Sequence, residues 1–192
     1  DQQKVAGVVL TEGGTVWYWP ISTTDQTVYE MDSFTASPVT DVAASGKSVS
    51  YMHWCAVLEY KNMECWGNNN AGQLGDGSTT SSLSQPVRVQ GLPEGNITAM
   101  SLGYLMSCAI VDGRAVGGYT NNTAWCWGYQ QNGALGDGVS TTTSAATPQK
   151  VQGLHGNVTA ISTSTDSDRH TCALLDGGEV KCWGYNDVGQ LG

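Results

Sequence analysis

Six cysteines are the residues of this sequence whose chemistry is easiest to judge from spacing. They form three neighbouring pairs, in which the two cysteines lie ten, eighteen and ten residues apart: Cys55 and Cys65, Cys108 and Cys126, Cys172 and Cys182. Zinc sites use closely spaced Cys-x-x-Cys pairs that converge with histidine, and no such spacing occurs. Disulfide bonds, which form in oxidising compartments, are therefore favoured, and neither a metal site nor a cofactor is predicted.

The remaining candidates for catalysis are few. The histidines are His53, His155 and His170, and the first and last each lie two residues before a cysteine, which indicates a shared place on a strand. No Gly-x-Ser-x-Gly elbow, phosphate-binding loop or His-Glu-x-x-His motif is present. Asp166 and Asp168 resemble half of a calcium loop, but its glycine is missing, and a solvated turn is favoured. The sequence predicts no catalytic residue and a protein that is not an enzyme.

Composition limits the partners. The 192 residues are only 13% charged and include 25 glycines, and seven tryptophans and eight tyrosines can supply a core, which together favour many short strands. A net charge of −9 repels phosphate and argues against binding nucleic acid. No apolar run is long enough for a membrane span. The first ten residues do not resemble a signal peptide, so a secreted form would be a mature chain without its leader.

Internal repeats organise the whole chain, 1–192, as one array. Three copies run from a cysteine through Cys-Trp-Gly to a Gly-x-Leu-Gly segment, and they occupy 39–75, 96–136 and 157–192. A degenerate first hairpin at 5–19 has Val8 and Tyr18 in place of the cysteines. The aligned tryptophans Trp19, Trp66, Trp127 and Trp183 are 47, 61 and 56 residues apart. A period near fifty residues predicts a propeller or a solenoid.

The repeat also predicts which cysteines pair. Each cysteine-to-cysteine segment reads as a β-hairpin, with turn formers such as Asp176-Gly177-Gly178 between short apolar flanks. Its two arms carry the cysteines of one pair, so the bonds predicted are Cys55–Cys65, Cys108–Cys126 and Cys172–Cys182. Segments such as Ile97–Met100 read as the strand before each hairpin. Tryptophan followed by glycine indicates a large ring against a neighbouring unit where backbones approach closely.

Spaced cysteines, Cys-Trp-Gly and then Asn-x-x-Gly-Gln-Leu-Gly resemble the repeat of the regulator of chromosome condensation (RCC) family, in its cysteine-bearing secreted variant. The resemblance covers residues 39–192 well, 5–19 weakly and 20–38 poorly. It implies an all-β fold, a β-propeller of RCC-type repeats. The chain holds about three and a half of the family's usual seven units. We therefore expect either a fragment of a longer propeller or a ring completed by neighbouring chains.

Three Asn-x-Ser/Thr sequons are candidate sites for N-linked glycans: Asn96, Asn121 and Asn157. Asn96 and Asn157 hold the same place in successive repeats, whereas Asn121 lies in an eight-residue insertion that we expect to be an exposed hairpin tip. The alternative is that the sequon threonines are merely strand residues after a turn asparagine. The Ser/Thr-rich stretches 78–84 and 139–147 read as solvated loops, with O-glycans as the alternative.

These features favour a non-enzymatic extracellular structural or binding glycoprotein. Its partner would be another protein or further copies of itself, and head-to-tail contacts would build a ring or a filament. A secreted protein inhibitor or lectin is the alternative, with Tyr104, Tyr119 and Tyr129 either forming a contact patch or packing between units. The resemblance also implies nucleotide exchange on a small GTPase. Paired cysteines and sequons argue against that activity, which the family's founder performs in a reducing compartment.

Overall fold

The protein folds almost entirely into antiparallel β-sheets. The structure, a computed structural model, describes residues 7–19, 27–35, 38–45, 49–59, 61–113 and 121–192. Sheet 1 contains β1 (Gly7–Leu10), β2 (Val16–Trp19) and β3 (Tyr29–Met31). Sheet 2 contains β4 (Val39–Ala44), β5 (His53–Leu58), β6 (Asn62–Gly67) and β7 (Ser82–Arg88). Two short 3-10 turns, Val49–Tyr51 and Gln131–Gly133, lie in the connections.

The second half of the chain repeats this arrangement. Sheet 3 contains β8 (Gly95–Gly103), β9 (Met106–Gly113), β10 (Asn121–Tyr129) and β11 (Ser144–Lys150). Sheet 4 contains β12 (Val158–Thr163), β13 (His170–Leu175) and β14 (Val180–Gly184). Every sheet is a meander in which strands that follow each other in the chain are hydrogen-bonded neighbours. The first strands β1, β4, β8 and β12 contact one another in that order, as inner strands around a common axis do.

The hydrophobic core lies between successive sheets rather than inside any one of them. Val16, Met31 and Trp66 pack between sheets 1 and 2, and Met63, Leu102 and Trp127 pack between sheets 2 and 3. The third cluster joins sheets 3 and 4 through residues that include Ile110, Leu135 and Val158. A single sheet therefore cannot bury its own apolar face, and each one depends on its neighbour.

The last strand of sheets 2 and 3 was not predicted. Strands β7 and β11 include the ends of the two Ser/Thr-rich stretches read from sequence as solvated loops. Both strands lie at an edge of their sheet, and each carries a proline, Pro86 or Pro148, which only an edge strand tolerates. Exposure of one side allows polar residues throughout β7, where Leu83 is 71% exposed. The expected alternation of apolar residues is therefore missing although the strand is formed.

The glycine of Cys-Trp-Gly lies at or next to the end of the third strand of sheets 2, 3 and 4. Gly67, Gly128 and Gly184 all have positive φ angles, between 105° and 110°. A Cβ atom at these positions would lie 2.4–2.6 Å from a carbonyl oxygen at the start of the second strand. Because no side chain can occupy that space, only glycine lets the two backbones approach, as the sequence predicts.

Candidate functional site

The three cysteine pairs are bonded within their hairpins. Directly opposed residues of the second and third strands form Cys55–Cys65, Cys108–Cys126 and Cys172–Cys182, each with Cα atoms 4.1 Å apart. These are the pairs that the repeat predicts, and no described cysteine is free. In sheet 1, Val8 lies opposite Tyr18, so the degenerate repeat keeps the hairpin without the bond. Three disulfide bonds favour an oxidising compartment.

The Gly-x-Leu-Gly segments at 72–75 and 133–136 each form a receptor for the tryptophan of the next repeat. Trp127 donates its indole N–H to the carbonyl of Gln73 at 2.9 Å, and Trp183 donates to the carbonyl of Ala134 at 3.1 Å. At Gly75 and Gly136, a Cβ atom would lie only 2.7 Å from the indole Nε1. The geometry shared by both contacts explains the residues of the segment: the leucine packs in the core, and the glycine leaves room for the indole ring. We call this segment the indole-receptor loop.

An asparagine shapes the indole-receptor loop from within. Asn69, which is fully buried, accepts a hydrogen bond from the Leu74 N–H at 2.9 Å and donates to Asp76 at 3.2 Å. Asn186 makes the first of these contacts in the last repeat, accepting from the Leu191 N–H at 3.1 Å. In the sequence, this asparagine is visible only as part of the repeat motif. The asparagine holds the same position in both repeats, and this recurrence indicates a structural role.

Polar contacts between sheets 2 and 3 are centred on His53. Its Nδ1 lies 2.7 Å from the Ser45 hydroxyl and its Nε2 lies 2.7 Å from the Ser107 hydroxyl. Ser107 donates to the carbonyl of Gln73 at 2.8 Å, so its oxygen must accept a hydrogen bond from the His53 Nε2–H. Burial lowers the pKa of His53 to about 3, so the ring is neutral at physiological pH. His53 therefore acts as a structural connector on its strand, as its spacing predicts.

Tyrosines and one arginine gather along one edge of the array. The guanidinium carbon of Arg169 lies 3.9 Å from the ring centre of Tyr129 and 5.0 Å from that of Tyr104. Tyr51 packs edge-on against Tyr104, with ring centres 5.2 Å apart. Tyr185, just after β14, faces Asp187, and a hydrogen bond to that carboxylate raises the pKa of its phenol. We call these five residues, Tyr51, Tyr104, Tyr129, Arg169 and Tyr185, the tyrosine–arginine edge.

The sequence left open whether these tyrosines form a contact patch or pack between units, and the structure shows features of both. Tyr104 and Tyr129 of sheet 3 hold Arg169 of sheet 4, so they pack between sheets, yet all three side chains keep part of their surface in solvent. Tyr119, the third predicted member, lies outside the described residues. Arg169 was missed, because a lone arginine before a strand gives no signal of the rings that surround it.

The sequons differ in exposure although the repeat equates two of them. Asn96 on β8 is exposed, and within the described ranges its side chain makes one long hydrogen bond, from its amide nitrogen to the Asp112 carboxylate at 3.4 Å. Asn157 is half-buried and uses both ends of its amide, donating to Asp176 at 2.8 Å and accepting from the Asn122 N–H at 3.1 Å. Asn121 begins β10, and the rest of the predicted hairpin tip, 114–120, lies outside the described residues.

In the described ranges, no group of three histidine, cysteine or acidic side chains could hold a metal ion. The same ranges contain no helix with the length and apolar character to cross a bilayer. Asp166 and Asp168 lie in an exposed bend before β13, in a segment that reads as a turn rather than a cation site.

Four consecutive meander sheets that pack face to face around their first strands define a β-propeller, and this chain contains part of one. Models of the Regulator of chromosome condensation (RCC1) repeat match residues 65–110 and 158–190. The chain therefore belongs to the RCC1-type repeat family, as the motifs predict. Each sheet is a blade, and the blades are numbered as the sheets.

Relatives support this assignment. The chain is 30% identical to the ultraviolet-B receptor UVR8 of Arabidopsis thaliana over 145 residues, which are 76% of this chain and 30% of that protein. It is 30% identical to the human regulator of chromosome condensation over 148 residues, 77% of this chain and 32% of that one. The chain thus spans about a third of the length of these relatives.

Solved structures show the same fold. Human WBSCR16 superposes with a TM-score of 0.71 at 20% identity, covering 94% of this chain and 45% of that one. Yeast RCC1 (Prp20), solved bound to Kap60, superposes with a TM-score of 0.70 at 17% identity, covering 93% of this chain and 41% of that one. At these identities the likeness concerns the fold.

Proposed function

We propose that this chain is part of a disulfide-stabilised, non-enzymatic propeller that works outside the cytosol as a protein-binding module. The tyrosine–arginine edge is the observation that carries the proposal. Tyrosine and arginine are enriched in the parts of protein interfaces that contribute most binding energy. Here turns and strand ends of blades 2 to 4 present them on a rigid frame, which lowers the entropic cost of binding.

Arg169 is the member of this edge best placed to meet a partner. Its side chain is partly exposed, and two rings fix its guanidinium plane. A guanidinium held in this way is pre-organised for a carboxylate of another protein, because a carboxylate accepts two parallel N–H bonds from it. The proposed partner is therefore a protein that presents an acidic side chain between apolar ones.

Replacing Arg169 tests the binding role. Proteins from the extracellular fraction that bind the immobilised wild-type chain should bind Arg169→Ala about tenfold more weakly or worse when measured directly. Lys181→Ala is the matched control, since it removes a cation of the same blade from a different surface. Equal binding of every captured protein to wild type and Arg169→Ala would contradict the proposal.

Self-association is a second candidate role, and the last indole-receptor loop favours it. Leu191 of this loop is partly exposed, whereas its equivalents Leu74 and Leu135 are fully buried, and no described tryptophan packs on the loop. Head-to-tail contact between copies, with blade 1 of one copy against the last loop of the next, would cover this leucine and would build a ring or a filament.

Sedimentation equilibrium checks this second role. The chain should form dimers and larger species, and Leu191→Asp should reduce them because it places a charge in the receptor. Val188→Asp in the same loop is the control, since Val188 is 81% exposed. A wild-type chain that stays monomeric at high concentration would exclude the assembly.

N-linked glycosylation is part of the extracellular proposal. The exposure of Asn96 favours it over Asn157, whose amide nitrogen already binds Asp176 and would have to release it. Asn121 remains a proposed site at the start of β10.

A further inference from the structure

The boundary between blades 1 and 2 departs from the repeat in two aromatic residues. Tyr18 occupies a position where the later blades carry a bonded cysteine. Trp54, the residue before Cys55, occupies a position where blades 3 and 4 carry Ser107 and Thr171. Both rings belong to the hydrophobic core between blades 1 and 2, Trp54 as a buried member and Tyr18 packed against it.

These two residues line an open cleft of about 560 Å³, a volume within the usual range of ligand pockets. We call it the aromatic cleft. Tyr29, which is 37% exposed, stacks on Tyr18 with ring centres 5.6 Å apart. Tyr18 in turn meets Trp54 edge-on at 5.5 Å. The remaining lining residues are Ser50, Met52, Asn68, Asn70, Ser81 and Leu83.

Hydrogen-bonding groups in this lining are neutral and partly unused. Asn68 accepts two hydrogen bonds through its oxygen, from the Asn70 N–H and from Gln73, while its side-chain nitrogen finds no partner in the described chain. In the same ranges the side chains of Asn70 and Ser50 form no hydrogen bond. Trp54 is only 5% exposed, and its buried indole N–H finds no hydrogen-bond partner among the described residues. Buried donors of this kind normally find an acceptor.

The lining selects a ligand by its chemistry. It contains no charged side chain, which disfavours a cationic or anionic ligand, since a buried charge would remain unpaired. Serine hydroxyls and asparagine amides both donate and accept hydrogen bonds. A proline-rich peptide would offer mainly carbonyl acceptors, whereas a sugar offers hydroxyls that do both. The axial C–H groups of a sugar ring also carry partial positive charge, which the negative face of a tyrosine ring attracts.

We propose that the aromatic cleft binds one or two rings of a neutral hexose-type sugar. Tyr29 supplies the stacking face, Asn70 and Ser50 bond the ring hydroxyls at the mouth, and Leu83 closes the outer side. The cleft shares no residue with the tyrosine–arginine edge, so it extends the protein-binding role and does not depend on it.

Titration of single sugars and their disaccharides into the chain tests this proposal. The probes are glucose, galactose, mannose and N-acetylglucosamine, followed by tryptophan fluorescence and by saturation-transfer NMR, because Trp54 and Trp66 lie beside the cleft. At least one probe should bind at millimolar concentration. Asn70→Ala should weaken it by about threefold to tenfold through loss of one or two hydrogen bonds.

Leu83→Glu should weaken binding, because it removes the apolar side chain that closes the outer side of the cleft. The matched control is Ser144→Glu, an exposed position on the corresponding edge strand of blade 3, which should bind as wild type does. Arg169→Ala should also bind normally, so failure of the protein-binding role and failure of this one are distinguishable. Absence of binding by every sugar, or binding only of a proline-rich peptide or of tetramethylammonium, would overturn the proposal.

Discussion

Acidification from about pH 7.5 to about pH 5 should lower the free energy of unfolding by about 2 kcal/mol through His53 alone. The pKa of this ring is about 3 in the folded protein and 6.5 when unfolded. Protons therefore bind the unfolded chain first as the pH falls below 6.5. The stabilisation is complete above that value and is lost progressively toward pH 3, by about 1.4 kcal/mol per pH unit.

Urea denaturation at several pH values measures this effect. His53→Gln should be less stable at neutral pH, because it breaks the contacts to Ser45 and Ser107, and should lose the pH dependence above about pH 5. His155→Gln is the control, since that ring is exposed. Carboxylates titrate mostly below this window and contribute little to it. A His53→Gln variant that kept the wild-type slope would contradict the buried, neutral state of the ring.

Replacing Trp127 should cause the largest loss of stability of any single side chain discussed. Trp127→Ala removes a fully buried ring between blades 2 and 3 and should cost about 3–5 kcal/mol. Trp127→Phe keeps much of the apolar volume but leaves the carbonyl of Gln73 without the indole donor, which adds about 1 kcal/mol to a smaller packing loss.

Trp125→Ala is the matched control in the same strand. Trp125 is only half-buried and donates to Thr123 within its own strand, so its loss should cost about 1 kcal/mol. Thermal or urea unfolding followed by circular dichroism gives the comparison, and Trp127→Phe keeps the test informative if the alanine variant fails to fold. Equal costs at Trp127 and Trp125 would contradict the indole-receptor loop.

Local features of this fold can be predicted from the sequence because the same motifs recur in successive repeats. The hairpins appear through the spacing of Cys172 and Cys182, the preceding strands through segments such as Ile97–Met100, and the close backbone approach through Trp-Gly. Each of these contacts joins residues close in the chain. Spacing alone therefore specifies them.

Contacts between repeats could not be read in the same way. His53 contacts Ser107, which lies 54 residues later, and Arg169 of blade 4 contacts Tyr129 of the neighbouring blade 3. No local sequence pattern indicates either pair. The edge strand β7 was not predicted, because its exposed face carries polar residues and the sequence therefore lacks the alternation of apolar residues. The aromatic cleft could not be predicted, because it depends on Tyr29 of β3, which lies in the part of the sequence that matches the repeat poorly.

The covalent pairing within each hairpin is the claim on which both the blade structure and the oxidising compartment rest. Peptide mapping of the native protein by mass spectrometry, without reduction and with free thiols blocked beforehand, measures it directly. The expected result is three linked peptide pairs, Cys55–Cys65, Cys108–Cys126 and Cys172–Cys182, together with a glycan on Asn96. Blocked free thiols at these six positions, or bonds that join different blades, would contradict the account.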